Sequence, residues 1–77
     1  MESFVVYPAA HHADDQLVEH QGEEMVFVLS GEIELRLVDR TIALKTGDCV
    51  HFLARLKHTL RQKGRRKAVA LIVIARS

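Results

Sequence analysis

The segment Glu32-Ile-Glu-Leu-Arg-Leu37 alternates polar and apolar side chains without interruption. A period of two is the repeat of a β-strand with one face in a core and the other in water. Ile33, Leu35 and Leu37 are therefore expected inward, with Glu32, Glu34 and Arg36 outward. Turn residues punctuate the rest of the chain at Ser30-Gly31, Asp39-Arg40, Thr46-Gly47-Asp48 and Lys63-Gly64-Arg65. They delimit short strands expected at 25–29, 32–37, 41–44, 49–53, 58–62 and 68–76. Ser30-Gly31 is expected to close a hairpin between the first two of these. Residues 25–29 are apolar on both faces, which predicts a strand covered on both sides. Residues 4–7 read as an edge strand closed by Pro8, which cannot continue a ladder. Residues 9–18 have room for one turn of helix but no apolar stripe. Many short strands with evenly spaced turns predict an all-β fold, a small sandwich or barrel.

At 77 residues the chain is expected to be a single domain, 1–77, near the lower limit for folding around one core. So small a core predicts extra burial through a second copy, a homodimer. Met25, Phe27 and Leu29 cannot share the interior with Val26 and Val28, so one row needs another cover. With 48% hydrophobic and 27% charged residues the composition is that of a soluble globular protein. No apolar run approaches the roughly 18–20 residues that span a bilayer, and Met1-Glu-Ser-Phe4 has no signal-peptide character. A lone cysteine, Cys49, forms no internal disulfide, so a reducing, cytoplasmic location is expected. Cys49 itself reads as a small buried hydrophobe.

Charge is unevenly placed although the net value is only +1. The first 35 residues hold eight acids and no Lys or Arg, while residues 55–67 hold seven bases and no acid. Such asymmetry can mark a polyanion-binding face. No aromatic residue is interleaved for base stacking, so nucleic acid is not the expected partner. The favoured reading is a solvated hairpin whose bases face acids of the same chain or of a neighbouring copy.

Three side chains carry the chemistry. His20 and Glu24 stand four residues apart just before the apolar strand, and His58 opens a later one. Glu24 has the parity of Val26 and Val28, so in extended chain it shares their face, and so does His20 unless Gly22 bends the path. Two imidazoles and a carboxylate form an N/O set that suits Zn, Mn, Fe or Ni and leaves coordination positions open. The alternative is a metal-free pocket in which these groups bind a ligand directly. A buried Glu24 would then have to be protonated, hydrogen-bonded or paired, because an isolated buried carboxylate is costly.

Residues 20–62 resemble a cupin domain. The first cupin motif has a His-x-His pair, a Glu four residues after the second His, and a Gly seven residues after that Glu. His20, Glu24 and Gly31 fall on the second His, the Glu and the Gly, while Val18 stands at the first His. Gly47 and His58 match the second motif, with Leu53 in place of its Pro, Gln62 in place of its Asn and an unusual Arg55 at a turn position. Only fifteen residues lie between Gly31 and Gly47, as in the shortest cupins. The likeness extends loosely over 16–75, and it is similar to the cupin domains of bacterial helix-turn-helix regulators, in which a segment such as Gly22-Glu23-Glu24 recurs. It implies a jelly-roll barrel, or double-stranded β-helix, with His20, Glu24 and His58 as metal ligands. Replacing the first His by Val18 removes one ligand of four and lowers metal affinity. His11-His12 are expected to be solvated, the alternative being a swing over the barrel mouth.

Three functions follow as expectations. The favoured one is a binding or ligand-sensing module that takes a small polar molecule into the barrel, with or without a divalent metal. Next comes a metal-dependent enzyme of isomerase, dioxygenase or decarboxylase type. Last comes a nucleic-acid-associated protein using residues 55–67. The fold does not decide among them.

Overall fold

The computed structural model describes residues 1–10 and 17–76. These form seven strands: β1 (Glu2–Val6), β2 (Glu23–Ser30), β3 (Glu32–Leu37), β4 (Thr41–Lys45), β5 (Cys49–Leu53), β6 (His58–Gln62) and β7 (Val69–Ala75). They make a four-stranded sheet in the order β1-β7-β2-β5 and a three-stranded sheet in the order β4-β3-β6. Every pairing is antiparallel. None of the described residues is helical, and no helix is long and apolar enough to cross a membrane. Most of the helical turn expected within 9–18, with His11 and His12, lies outside the described residues.

The two sheets face each other as a jelly roll, and their inner rows follow from register. Phe4, Ile72, Val26 and Val50 stand side by side across the larger sheet, flanked by the row Val6, Ala70 and Val28. Ile33 opposes Leu44 and Leu35 opposes Ile42 and Leu60 in the smaller sheet. Val26, Val28, Ile33 and Leu35 are fully buried between the sheets, which is where alternation placed them. Leu37, expected inward, is half-buried where β3 runs out of the core.

The hairpin expected at Ser30-Gly31 does not form. β2 pairs with β5 and β7, β3 pairs with β4 and β6, and the turn carries the chain from one sheet to the other. Gly31 has φ +76°, and a Cβ there would sit 2.8 Å from the carbonyl oxygen of Lys67. The crossing thus needs both the left-handed conformation and the bare backbone of glycine. Alternation along β3 identified the strand but not its neighbour, because period two is the same for either sheet.

The outer face of the larger sheet differs from expectation as well. Val5, Leu71, Phe27 and Cys49 form one row across it, and Val73, Met25 and His51 another. Met25 and Phe27 are only half-buried, and Leu29 is 43% exposed, so within a single chain the outer side of the strand has no cover. Cys49 is exposed rather than buried, since it lies opposite Phe27 on an edge strand and takes that residue's outward parity. His51 faces outward, with Nε2 3.1 Å from a Glu23 oxygen.

The basic stretch is not one face. Arg55 and Lys57 lie between β5 and β6 at one end of the barrel, and residues 63–67 lie between β6 and β7 at the other. Arg61 between them pairs with Glu34, Nε to Oε1 2.8 Å, a contact between these bases and the acidic half of the kind the favoured reading anticipated.

Gly31→Ala should cost roughly 1–3 kcal/mol through backbone strain, with more from the clash at Lys67. Urea unfolding is the check, and a midpoint equal to wild type would show that the chain crosses between sheets without glycine.

Candidate metal centre

Glu24, the second residue of β2, lies on its inner face, in the row formed with Ile74 on β7 and Phe52 on β5. β6 begins with His58 opposite Leu37, on the inner face of the other sheet. The two side chains therefore approach from opposite walls, and each is only 4% exposed. His20 precedes β2 and arrives by a different route. The chain from 18 to 22 bridges the gap between the sheets: Val18 exchanges both backbone hydrogen bonds with His58, and His20 N donates to Ala54 O at 3.0 Å. Gly22 then turns at φ +96°. This bend breaks the extended parity between His20 and Glu24, yet it still delivers the imidazole to the carboxylate.

The three expected residues meet at one point. His20 Nε2 lies 2.9 Å and His58 Nε2 3.3 Å from the same oxygen, Glu24 Oε1. One ligand atom from each of the three falls within 4.8 Å of the others, the spacing of a single cation site. The rings stand at 73° with centroids 5.5 Å apart, and the Phe52 ring packs edge-on against His58 at 4.8 Å. This packing fixes the His58 plane.

Hydrogen positions follow from the backbone. His20 Nδ1 donates to the carbonyl of Gln21 at 3.1 Å, and His58 Nδ1 donates to the carbonyl of Leu56. A carbonyl only accepts, so each Nδ1 carries a hydrogen. In a neutral ring Nε2 is then a bare lone pair, and two such lone pairs face one carboxylate oxygen. Acceptors do not bind one another, so the cluster requires either protons on the rings or a cation among them. Backbone carbonyls that lock the tautomer and aim Nε2 inward are the supporting contacts of metal-ligating histidines. The donor set thus fits a divalent metal.

Without a metal, protons do the work. Burial pushes the Glu24 carboxyl up, but hydrogen bonds with His58 and His20 and the charges of those rings outweigh it and hold it below the ordinary 4.5. Burial pushes His58 down, but the Glu24 hydrogen bond, the Leu56 carbonyl and the Glu24 charge together raise it above 6.5. Both shifts mean that the pair favours the charged forms.

The cluster opens onto a cavity of about 330 Å³. Its walls are apolar, with Phe4, Val6, Leu60, Ile72 and Ile74, and its rim carries Tyr7, Pro8 and Val18. These wall residues were not singled out in the sequence as site residues. Their signal was parity, since Phe4 and Val6 alternate onto the inner face opposite Ile72 and Ala70. Tyr7 is 62% exposed, and Lys67 Nζ sits 5.1 Å above its ring centroid. Val18, where a further His would stand, is a cavity wall of 55% exposure rather than a ligand.

The family model of the cupin domain matches residues 3–74. The chain is a cupin. Among solved structures, this cupin is similar to Fe(II) HppE in complex with substrate, with TM-score 0.81 and 27% identity over 95% of this chain and 44% of that one. It is similar to a cupin-2 domain containing protein from Shewanella frigidimarina, with TM-score 0.75 and 18% identity over 91% of this chain and 65% of that one. A cupin superfamily protein from Desulfitobacterium hafniense follows at TM-score 0.64 and 19% identity, covering 95% and 77%. The last two speak to the fold alone. The chain spans 44% and 65% of the lengths of the first two. No curated protein matches it.

The metal-stripped cupin should be most stable between pH 4.5 and 6.5, where the charged Glu24–His58 pair contributes fully. Stability from Glu24 should fade as pH drops below 4.5 through its lowered pKa, and stability from His58 as pH rises above 6.5 through its raised one. Melting temperatures in chelator check this: the gap between wild type and Glu24→Gln should be widest inside that window. A gap that is constant with pH would count against the paired state.

Proposed function

We propose that this cupin is a metal-holding binding module, with one divalent cation on His20, Glu24 and His58 and a small polar ligand in the adjoining cavity. The observation that carries the reading is the pair of backbone-locked imidazoles whose Nε2 lone pairs converge on one carboxylate oxygen. Three ligands leave positions for water or ligand oxygens. Two His and one carboxylate with open positions is the set associated with non-haem Fe(II), and the similar structure at 27% identity is named as an Fe(II) protein. Fe(II) is therefore the first candidate among Fe, Zn, Mn and Ni.

The residues divide the labour. Glu24 neutralises part of the cation's charge, and its burial strengthens that attraction. Phe52 and the two carbonyls hold the imidazoles in place, which lowers the cost of assembling the set on binding. Phe4, Val6, Ile72 and Ile74 exclude water around the ligand, and Val18 keeps one flank of the cation open. A bound metal would supply a Lewis acid to a coordinated ligand oxygen. The same open positions favour the second reading, a metal-dependent enzyme of dioxygenase, isomerase or decarboxylase type. Turnover of a candidate substrate by the iron-loaded chain, lost in His58→Ala, would favour that reading over simple binding.

Titration with Fe(II), Mn, Ni and Zn should give one metal per chain, quantified by elemental analysis after desalting. His58→Ala should weaken uptake more than about tenfold, since even supporting contacts are worth 10–100-fold. Val18→His should tighten it by returning a fourth ligand. Absence of uptake of all four metals by folded wild type would sink the reading.

We also propose that a second copy covers the outer face of the larger sheet. The rows Val5, Leu71, Phe27, Cys49 and Val73, Met25 support it, as does a core too small to favour so much apolar surface in water. Sedimentation should give a dimer at micromolar concentration, and Phe27→Glu should yield a folded monomer. A wild-type monomer under the same conditions would refute the dimer.

A further inference from the structure

The end of the barrel remote from His20, Glu24 and His58 holds a second cavity, of about 340 Å³. Lys45, Lys63, Arg65 and Arg66 line it, with Glu32 as the one acid among the lining residues. Several cations elsewhere have partners: Arg61 meets Glu34, Arg76 meets Glu2, Arg40 meets Asp39, and Lys67 sits over the Tyr7 ring. Among the described residues, none of the four lining bases has an acid within ion-pair distance. Glu32 stands opposite Lys45 in the β3–β4 register, which offsets at most one of them. Like charges gathered around a concavity repel, and that arrangement is relieved by a multiply charged anion.

The loop presenting three of these bases is held in shape. The Gln62 side chain spans it, with Nε2 donating to Gly64 O at 3.2 Å and Oε1 accepting from Ala68 N at 3.1 Å. Lys63 N donates to Glu32 O at 2.9 Å, which ties the start of the loop to β3. On the facing side Thr46 donates its hydroxyl to Gly31 O at 3.0 Å, fixing the turn that follows Lys45. Two turns anchored to the same crossing thus bring their bases to one opening. Arg55 and Lys57, equally basic in sequence, lie at the opposite end and do not line it.

We infer that this basic cavity is a binding site for a small polyanion of the phosphate-ester or polyphosphate class. Its volume suits a group of two or three phosphates rather than an extended strand. Arginine forks match phosphate oxygens in paired hydrogen bonds, and Lys45 and Lys63 add point charge. No aromatic side chain lines the cavity to stack a base. The site is separate from the metal centre and stands or falls independently of it.

Calorimetric titration with inorganic triphosphate tests the inference, using chain stripped of metal so that phosphate oxygens have no cation to coordinate. Binding is expected at one site per chain and should weaken as salt rises. Arg65→Glu with Arg66→Glu should weaken it at least about tenfold, the equivalent of one lost charge-assisted hydrogen bond. Arg55→Glu with Lys57→Glu makes the same change of net charge at the other end and should leave most affinity intact. Gln62→Ala should weaken binding while keeping the salt slope, because the charges stay and only their arrangement loosens. Circular dichroism confirms that each variant is folded. Absence of binding by wild type, or equal loss in the two charge-reversal variants, would overturn the site. A short single-stranded oligonucleotide serves as the other source of phosphates, and tighter, salt-resistant binding of it than of triphosphate would overturn the small-ligand assignment.

Discussion

The structure turns on one buried oxygen. Glu24 Oε1 receives the inward nitrogens of two histidines from two different directions, at a depth where an unpaired carboxylate would be prohibitively costly. That contact joins the sheet carrying β2 to the sheet carrying β6, so it is both a site and a fastener. Whatever occupies the space between the three groups, proton or metal, decides how firmly the open end of the barrel is closed. Removing one partner leaves the others buried and unsatisfied, which is the more expensive change.

Around that point the barrel is asymmetric along its axis. One end has apolar walls leading to acid and imidazole; the other has a rim of guanidinium and ammonium groups. The core between them is a thin double layer in which valine, isoleucine and leucine meet at full burial. A barrel this small cannot hide both faces of both sheets, and β2 shows the consequence, with valines inside and methionine, phenylalanine and leucine left on the surface side.

Much of this was legible in the chain. Strands 49–53 and 58–62 have the bounds that turns and alternation gave them, and β3 puts Ile33 and Leu35 inside as period two requires. The convergence of His20, Glu24 and His58 was readable from their spacing and from the cupin likeness together. Other features were hidden for physical reasons. Pairing is a long-range property, so Ser30-Gly31 looked like a hairpin when it is a crossing between sheets. Hydrophobicity does not reveal which side of a sheet is covered, so Cys49 was assigned to the core. The anion-facing cluster was blurred because residues 55–67 are contiguous in sequence but split between the two ends in space. The orienting carbonyls of Gln21 and Leu56 left no trace at all, since a backbone oxygen has no residue type.

The strand order has a consequence for how the molecule is made. β7, last of the seven strands, lies between β1 and β2, the first two. Until it emerges from the ribosome, Glu24 has only its β5 neighbour in that sheet, and the N-terminal strand has nothing to pair with. Assembly of the carboxylate's surroundings thus waits until this strand has been made, and the distant contacts it depends on make slow folding the natural result.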